Sequence, residues 1–395
     1  MPTRTTTTAI AIAVPLLGYG LIYSKLQKHK KNGRLTSISS LIKTIPMRYR
    51  TARYMFVQTK IKNNEYLKKL QNIIGYDNYI LSDHWTARET DVICAVPLKS
   101  GTTWAQQICQ QLRVNGESNI NFNQDIHDVQ PWIETRLTQG FGPDEERPIP
   151  CDPAAGPGAY DMDADQAESP IRVYKSHLTW ESLVGTNCKK LFVYRKSVDA
   201  AYSLYYFMMK ILEMEGDVNP HAFMTTFLMN SNFFEKNLKN LCDFWDHRKD
   251  PNVGFFFYDD MKEDHAGSVK RIAELMDIEA SQELIEKVVS QSTAKFMGAE
   301  DHHLRFDGFT QHAVFKRALG LEYTFWPEVS GQLPRREIPN VKVTKSATLK
   351  KRGSEHGRAE VEECYRKTWK RIVLPRTGFA SPDEMRAAWK KELSQ

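Results

Sequence analysis

Several signatures are missing from this chain of 395 residues, and each absence narrows what it can be. There is no G-x-x-x-x-G-K-[ST] loop, which argues against the standard phosphate grip of ATPases and nucleotide kinases. No RNP, zinc-finger or helix-turn-helix pattern occurs. The net charge of +6 and a pI near 8.8 are mild, suiting an anionic small molecule or a membrane surface rather than nucleic acid. The six cysteines include no C-x-x-C pair, so they read as reduced, mostly buried thiols and not as a disulfide framework. Asp301, His302, His303 and His312 offer no H-x₃-H spacing, and adjacent histidines do not share a face, so a metal site is not expected. What remains is 41% hydrophobic and 26% charged residues, the composition of a globular chain able to bury a large core.

The chain is organised around residues 92–112. Val92 to Val96 is an apolar run of the kind that forms a buried parallel strand. Lys99, Ser100, Gly101, Thr102 and Thr103 place small and hydroxylated residues, with one cation, at the turn. Trp104, Ile108 and Leu112 then fall at i, i+4 and i+8, one face of a helix. A strand, a small-residue loop and a helix start make an anion site, because unpaired backbone N–H groups and the positive end of the helix dipole point into the loop.

Further strand ends carry chemistry. Ile171 to Leu178 reads as a strand ending in Lys175 and His177, two apart and therefore on one face. A histidine there can take a proton from a hydroxyl, and a neighbouring lysine can stabilise negative charge. Lys189 to Arg195 is a third strand followed by a helix from Lys196 to Leu212, again aiming a cation and a helix start at one sheet edge. Val253 to Tyr258 is a fourth. Asn219 to Arg248 reads as one long helical region, and Tyr365 to Lys391 as a terminal one. Lys350 to Gly353 is a basic cluster ending in glycine, suited to wrap a phosphate. Strands alternating with helices predict an α/β fold: a P-loop-like, doubly wound parallel sheet flanked by helices, with its site at the strand C-termini.

Pro97-Leu-Lys-Ser-Gly-Thr-Thr-Trp104 resembles the phosphosulfate loop P-K-S-G-T-T-W of the cytosolic-type sulfotransferases, with Leu98 as one extra residue. That family moves a sulfuryl group from 3′-phosphoadenosine-5′-phosphosulfate (PAPS) to an alcohol, phenol or amine. The resemblance covers about residues 91–357 and makes His177, on a K-[TS]-H strand, the catalytic base. It gives Lys99 the bridging oxygen and Lys175 the sulfuryl oxygens. Arg195 and Ser203, eight apart, become the 3′-phosphate site, with Ser203 steering Lys99. Tyr258 lies near the adenine, and the segment Ser292 to Met297 closes over it, although Ala294 replaces the usual phenylalanine. Lys351, Arg352 and Gly353 resemble the R-K-G closure, with the two cations exchanged. The cofactor set is therefore Lys99, Ser100, Gly101, Thr102, Thr103, Trp104, Arg195, Ser203, Tyr258, Met297, Lys351, Arg352 and Gly353. The resemblance implies PAPS as cosubstrate, no metal, and a hydroxylated, lipophilic small molecule (sterol, phenol, alcohol or lipid) as acceptor. A nucleotide kinase and a non-catalytic, membrane-tethered nucleotide-binding protein are the alternatives.

Residues 1–34 stand apart. Ala9 to Tyr23 is an uncharged apolar run, and Ser24 to Arg34 is densely basic. A signal anchor leaving the catalytic domain in the cytosol is the favoured reading. A cleaved organelle-targeting peptide also fits the Thr-rich, acid-free segment, and a cytoplasmic protein is the remaining alternative. Residues 35–78 mix apolar and basic positions at helical spacing, as a linker that lies on a membrane or packs on the core. The catalytic domain is assigned to residues 79–395. Within it, Asp125 to Glu134 is expected to be ordered, and Pro148 to Pro170 reads as a long loop, either a lid or disordered.

Overall fold

The computed structural model describes residues 85–117, 126–131, 133, 169–211, 220–228, 232–299 and 357–395. The N-terminal apolar run, the linker, the 148–168 part of the long loop, the Asp301 to His312 histidines and the basic cluster at 350–353 lie outside these. Four strands form the sheet: β1 (Val92–Ala95), β2 (Val173–Ser176), β3 (Lys189–Tyr194) and β4 (Val253–Phe257). Their order is β2-β1-β3-β4, and each pairing is parallel. Every residue of the four strands is buried, as continuous apolar runs require when both faces of a sheet are covered.

The winding reverses beside β1, since β2 lies to one side of it and β3 and β4 to the other. The crevice of such a sheet opens at the strand C-termini at this reversal, and here it coincides with the loop after β1. From that loop runs α1 (Thr102–Arg113), whose Ile108, Cys109 and Leu112 pack into the same core as Val92, Cys94, Val173, Leu191 and Val193. A short α2 (Ile126–Val129) follows, then α3 (Trp180–Leu183) after β2. The helix after β3 is α4 (Ser197–Ile211). Next in the chain are α5 (Pro220–Phe223), a π-helical turn at Met224–Leu228, and α6 (Phe233–Asp246). After β4 come α7 (Tyr258–Glu263), α8 (His265–Leu275), α9 (Gln282–Gln291) and α10 (Ala294–Met297). The chain ends in α11 (Arg358–Thr377) and α12 (Pro382–Leu393).

The stretch Asn219 to Arg248 is divided, and the terminal helical region consists of two helices. Asn232, at φ 55°, takes a left-handed conformation that asparagine tolerates, so α6 begins there as a separate helix and does not extend one from residue 219. Gly378, at φ 81°, likewise ends α11. Ser381 then accepts a hydrogen bond from the Glu384 N–H, and Pro382 opens α12.

The cysteines are free among the described residues, and all but the half-buried Cys364 are buried. The thiols of Cys94 on β1 and Cys109 on α1 lie 4.0 Å apart. Their mutual hydrogen bond and burial push the Cys94 thiol well above the ordinary range, so it stays protonated at neutral pH.

At the end of the sheet opposite the crevice, Arg172 and Asp91 form a buried, two-pronged ion pair, with Nε to Oδ1 at 2.8 Å and Nη2 to Oδ2 at 2.6 Å. Asp91 Oδ2 also accepts from the Arg88 N–H, and Arg172 Nη2 donates to the Thr86 carbonyl. The pair staples β1 to β2 where Val92 N–H meets the Arg172 carbonyl at 2.9 Å. Arg172→Met leaves a carboxylate buried without its partner. We expect it to cost about 3–5 kcal/mol of folding free energy, read as a lower urea midpoint. Replacing Asp91 by leucine as well should restore part of that loss. A double variant no more stable than the single one would show that the charge pair is not the source.

Candidate active site

The loop after β1 is shaped by two unusual backbone positions. The Ser100 N–H donates to the Pro97 carbonyl at 3.0 Å, closing a turn over residues 97–100. Lys99, third in that turn, has φ 62°, the positive value that marks a type II turn and is normally left to glycine. Leu98 occupies the second turn position, so the extra residue relative to the family pattern is absorbed here. Gly101 follows at φ 108° as the residue preceding α1. Its missing side chain is required twice over: a Cβ would stand 3.1 Å from Tyr258 Cδ2, in a conformation that side chains rarely adopt.

The start of α1 is an open positive pole. No side chain caps it, and no acidic residue sits in its first turn. The helical ladder begins with the Ala105 N–H on the Gly101 carbonyl at 2.9 Å. The N–H groups of Thr102, Thr103 and Trp104 therefore have no partner from the helix's own ladder. A phosphate or sulfate is the group that such a terminus accepts.

The second strand delivers a histidine. His177 is buried just past β2, and its Nδ1 lies 2.6 Å from the Val96 carbonyl. A carbonyl can only accept, so Nδ1 is the protonated nitrogen, and in the neutral ring the lone pair sits on Nε2. The Thr102 hydroxyl reaches the same carbonyl at 3.4 Å. One backbone oxygen thus joins the end of β1, the first residue of α1 and the imidazole. Lys175, two residues earlier and buried, belongs to the same face of the strand.

The third strand delivers the cations. Arg195, directly after β3, donates from Nη1 to the Lys99 carbonyl at 2.9 Å. Its guanidinium carbon also lies 4.9 Å from the centre of the Tyr258 ring. The Lys99 ammonium rests 3.9 Å from the centre of the Phe207 ring on α4. Ser203, buried, precedes Phe207 by four residues and so shares its helix face. Lys99 and Arg195 are therefore in contact, with Phe207 as an unexpected neighbour, and Ser203 stands one turn before Phe207 on α4.

On the other side, the Trp104 indole meets Tyr258 and His265 edge to face, at 5.5 and 5.1 Å between ring centres. Trp104 also packs against the small cluster of Ile126 and Met297, together with Phe296 and Val129. Trp104, Tyr258 and Met297 are thus gathered on one wall. Ala294 is exposed.

The segment Asp125 to Glu134, expected to be ordered, borders the site at its described residues 126–131 and 133. The Lys175 N–H donates to the Pro131 carbonyl at 2.8 Å, and the Ile133 N–H donates to the Lys175 carbonyl at 3.1 Å. This short pairing brings the backbone of Pro131 and Ile133, both buried, beside that of the lysine. Arg113 anchors it, donating to the Gln110 side chain and to the Val129 carbonyl. Lys351, Arg352 and Gly353 lie outside the described residues. Gly357 at the start of α11 is described, and Arg358 beside it pairs with Asp199 near the start of α4.

Comparison with known proteins bears on the family and the fold. Residues 89–302, more than half of the chain, match the family model of the sulfotransferase domain. Rabbit (Oryctolagus cuniculus) amine sulfotransferase is 26% identical over 219 residues, 54% of this chain and 65% of that enzyme, just under two thirds of its length. Human (Homo sapiens) sulfotransferase 1E1 is 25% identical over 249 residues, 59% of this chain and 76% of the relative. Among solved structures, retinol dehydratase, crystallised with androsterone and the inactive cofactor PAP, has a TM-score of 0.50 at 19% identity. The match covers 80% of this chain and 88% of that one, and it bears on the fold. The chain belongs to the sulfotransferase family. Its α/β architecture is the P-loop-like one, and its class of chemistry is sulfuryl transfer.

Gly101→Ala should disable the loop, because the new methyl group meets both the left-handed backbone and the Tyr258 ring. The expected result is at least about tenfold weaker binding of adenosine 3′,5′-bisphosphate by calorimetry, the scale of one lost charge-assisted contact. Unchanged affinity would place the anion elsewhere.

Proposed function

We propose that this chain transfers the sulfuryl group of PAPS to a hydroxyl of a lipophilic small molecule. The observation that carries the reading is the His177–Val96 contact, which orients a base of defined tautomer directly against the loop that would grip the phosphosulfate. The residues present fit the nucleotide: an uncapped helix start, a glycine whose φ and closeness to Tyr258 disfavour any side chain, and cations from β2, the end of β3 and the loop. When bound, PAPS supplies an activated sulfuryl group.

In this reading His177 Nε2 takes the acceptor proton as the acceptor oxygen forms its bond to sulfur. Lys99 stabilises the charge that collects on the bridging oxygen as the old S–O bond breaks, and Lys175 supports the sulfuryl oxygens. Arg195 and Ser203 hold the 3′-phosphate. Lys99 leans toward the face of α4 that carries Ser203, so occupation of Ser203 by the 3′-phosphate is a means of setting where the ammonium points.

Labelled PAPS offered with a sterol, a phenol, a fatty alcohol and an amine tests the transfer. Preference for adenosine 3′,5′-bisphosphate over ADP separates this reading from a nucleotide kinase. His177→Ala should lower turnover by about 10²–10⁴-fold while leaving nucleotide affinity nearly unchanged. A variant that keeps near wild-type rates with an unactivated alcohol would remove His177 from the role of base.

We further propose that residues 9–23 tether the enzyme to a membrane with the catalytic domain on the cytosolic side. The support is the apolar run followed by the basic block from Lys25 to Arg34. No helix among the described residues is long and apolar enough to cross a membrane, and the run itself lies outside them. Full-length protein should resist alkaline carbonate extraction, and deleting residues 1–34 should release a protein still active on a water-soluble acceptor. Protein that washes off membranes, or a mature chain starting beyond Arg34, would replace the tether with a cleaved targeting peptide.

A further inference from the structure

The purine side of the site carries a residue that the family pattern does not supply. Where that pattern has phenylalanine, this chain has the exposed Ala294, so the segment 292–297 presents no aromatic ring at that position. A ring is nevertheless present beside Trp104. His265, the first residue of α8, sits 5.1 Å from the indole with the planes inclined at 66°, and Tyr258 flanks the same indole at 5.5 Å.

The orientation of His265 follows from its hydrogen bond. Its Nε2 lies 3.0 Å from Ser292 Oγ, and that hydroxyl lies 2.6 Å from the Val288 carbonyl. A hydroxyl has one proton, and the carbonyl can only accept it. Ser292 Oγ must therefore accept from His265 Nε2–H. Burial lowers the basicity of the imidazole below its ordinary value, partly opposed by Asp264, so the ring is neutral at pH 7 with its lone pair on Nδ1. Ser292 immediately precedes Thr293, whose hydroxyl caps α10 by accepting from the Phe296 N–H at 3.1 Å. Met297 of that helix forms, with Ile126, the cluster against which Trp104 and Phe296 both pack. His265 thus touches the indole directly and is bonded to the segment that supplies part of that cluster.

We propose that His265 is a positioning residue for the nucleotide base, supplying from the start of α8 the aromatic support that Ala294 does not provide. It fixes the Trp104 indole and joins it to the 292–297 segment. The inference rests on the proposal that the site binds PAPS with its adenine beside Trp104.

Its test compares two ligands in the full-length chain: adenosine 3′,5′-bisphosphate, and the tetrahydrofuran bisphosphate in which hydrogen replaces the base. Calorimetry gives the ratio of their dissociation constants. In the wild-type protein the base should improve affinity by at least about tenfold, the scale of one aromatic support to a base. His265→Ala should lose most of that ratio with the base-free ligand bound as before, and turnover at saturating PAPS should hold within about twofold, since no group at the sulfur is altered. His265→Phe keeps a ring but not the bond to Ser292, and should lower the ratio by about threefold. It decides the question if the alanine variant does not fold. A wild-type ratio near one would overturn the adenine placement itself. A large wild-type ratio left unaltered in the folded variants would overturn the role of His265 alone.

Discussion

The Val96 carbonyl is the point on which the site depends. It is the last backbone acceptor before the chain leaves the sheet, and in a regular strand it would be spent on a neighbour. Instead it receives the imidazole of His177 and the hydroxyl of Thr102. The consequence is chemical as well as geometric. Fixing the proton on Nδ1 leaves the lone pair on Nε2, so the tautomer is set by backbone alone. The same bond ties the imidazole to the start of the loop after β1. Pre-organisation of this kind lets the site avoid reordering during the reaction.

That constraint is affordable because the opposite end of the sheet is pinned independently. The Arg172–Asp91 pair and the backbone bond beside it fix the relative register of β1 and β2. With β1 and β2 in register, residues 96 and 177 meet whatever the loop does. Polar contacts at one end hold the strands, and those at the other end orient the residues of the proposed site. Between them lies a run of buried apolar residues with little freedom to shift, since packed cores move between discrete arrangements and do not deform continuously.

Much of this was legible from sequence because it is local. A strand, a loop and a helix in succession put Lys99 to Trp104 at one place, and the alternation of a strand puts Lys175 and His177 on one face. The eight-residue interval between Arg195 and Ser203 is also carried by contiguous chain. What escaped depends on contacts between distant segments. The pairing of Pro131 and Ile133 with Lys175 joins residues more than forty apart, through backbone groups that every sequence possesses. Phe207 looked like one more apolar helix residue and proves to lie under the Lys99 ammonium. His265 carried no signal by itself, because its meaning comes from Trp104 and Ser292. Asn232 broke a helix that periodicity alone would have continued, by adopting a backbone state that hydrophobic spacing does not encode.

The turn at Lys99 shows how a departure from a family pattern is accommodated. An insertion beside a phosphate loop would push the cation out of place if the chain remained extended. Here Leu98 enters a closed turn, and the surplus length is taken up within four residues. The cost falls on Lys99, a side-chain-bearing residue held at φ 62°, a conformation that is disfavoured outside glycine and persists only when neighbours over-determine it. Those neighbours are identifiable. Arg195 takes the Lys99 carbonyl, Phe207 lies against its ammonium, and Gly101 yields space to Tyr258 two residues on. Each belongs to the proposed nucleotide site or borders it. The strained residue is therefore held by groups of the proposed nucleotide site, and on that proposal binding and loop geometry would be coupled through Arg195.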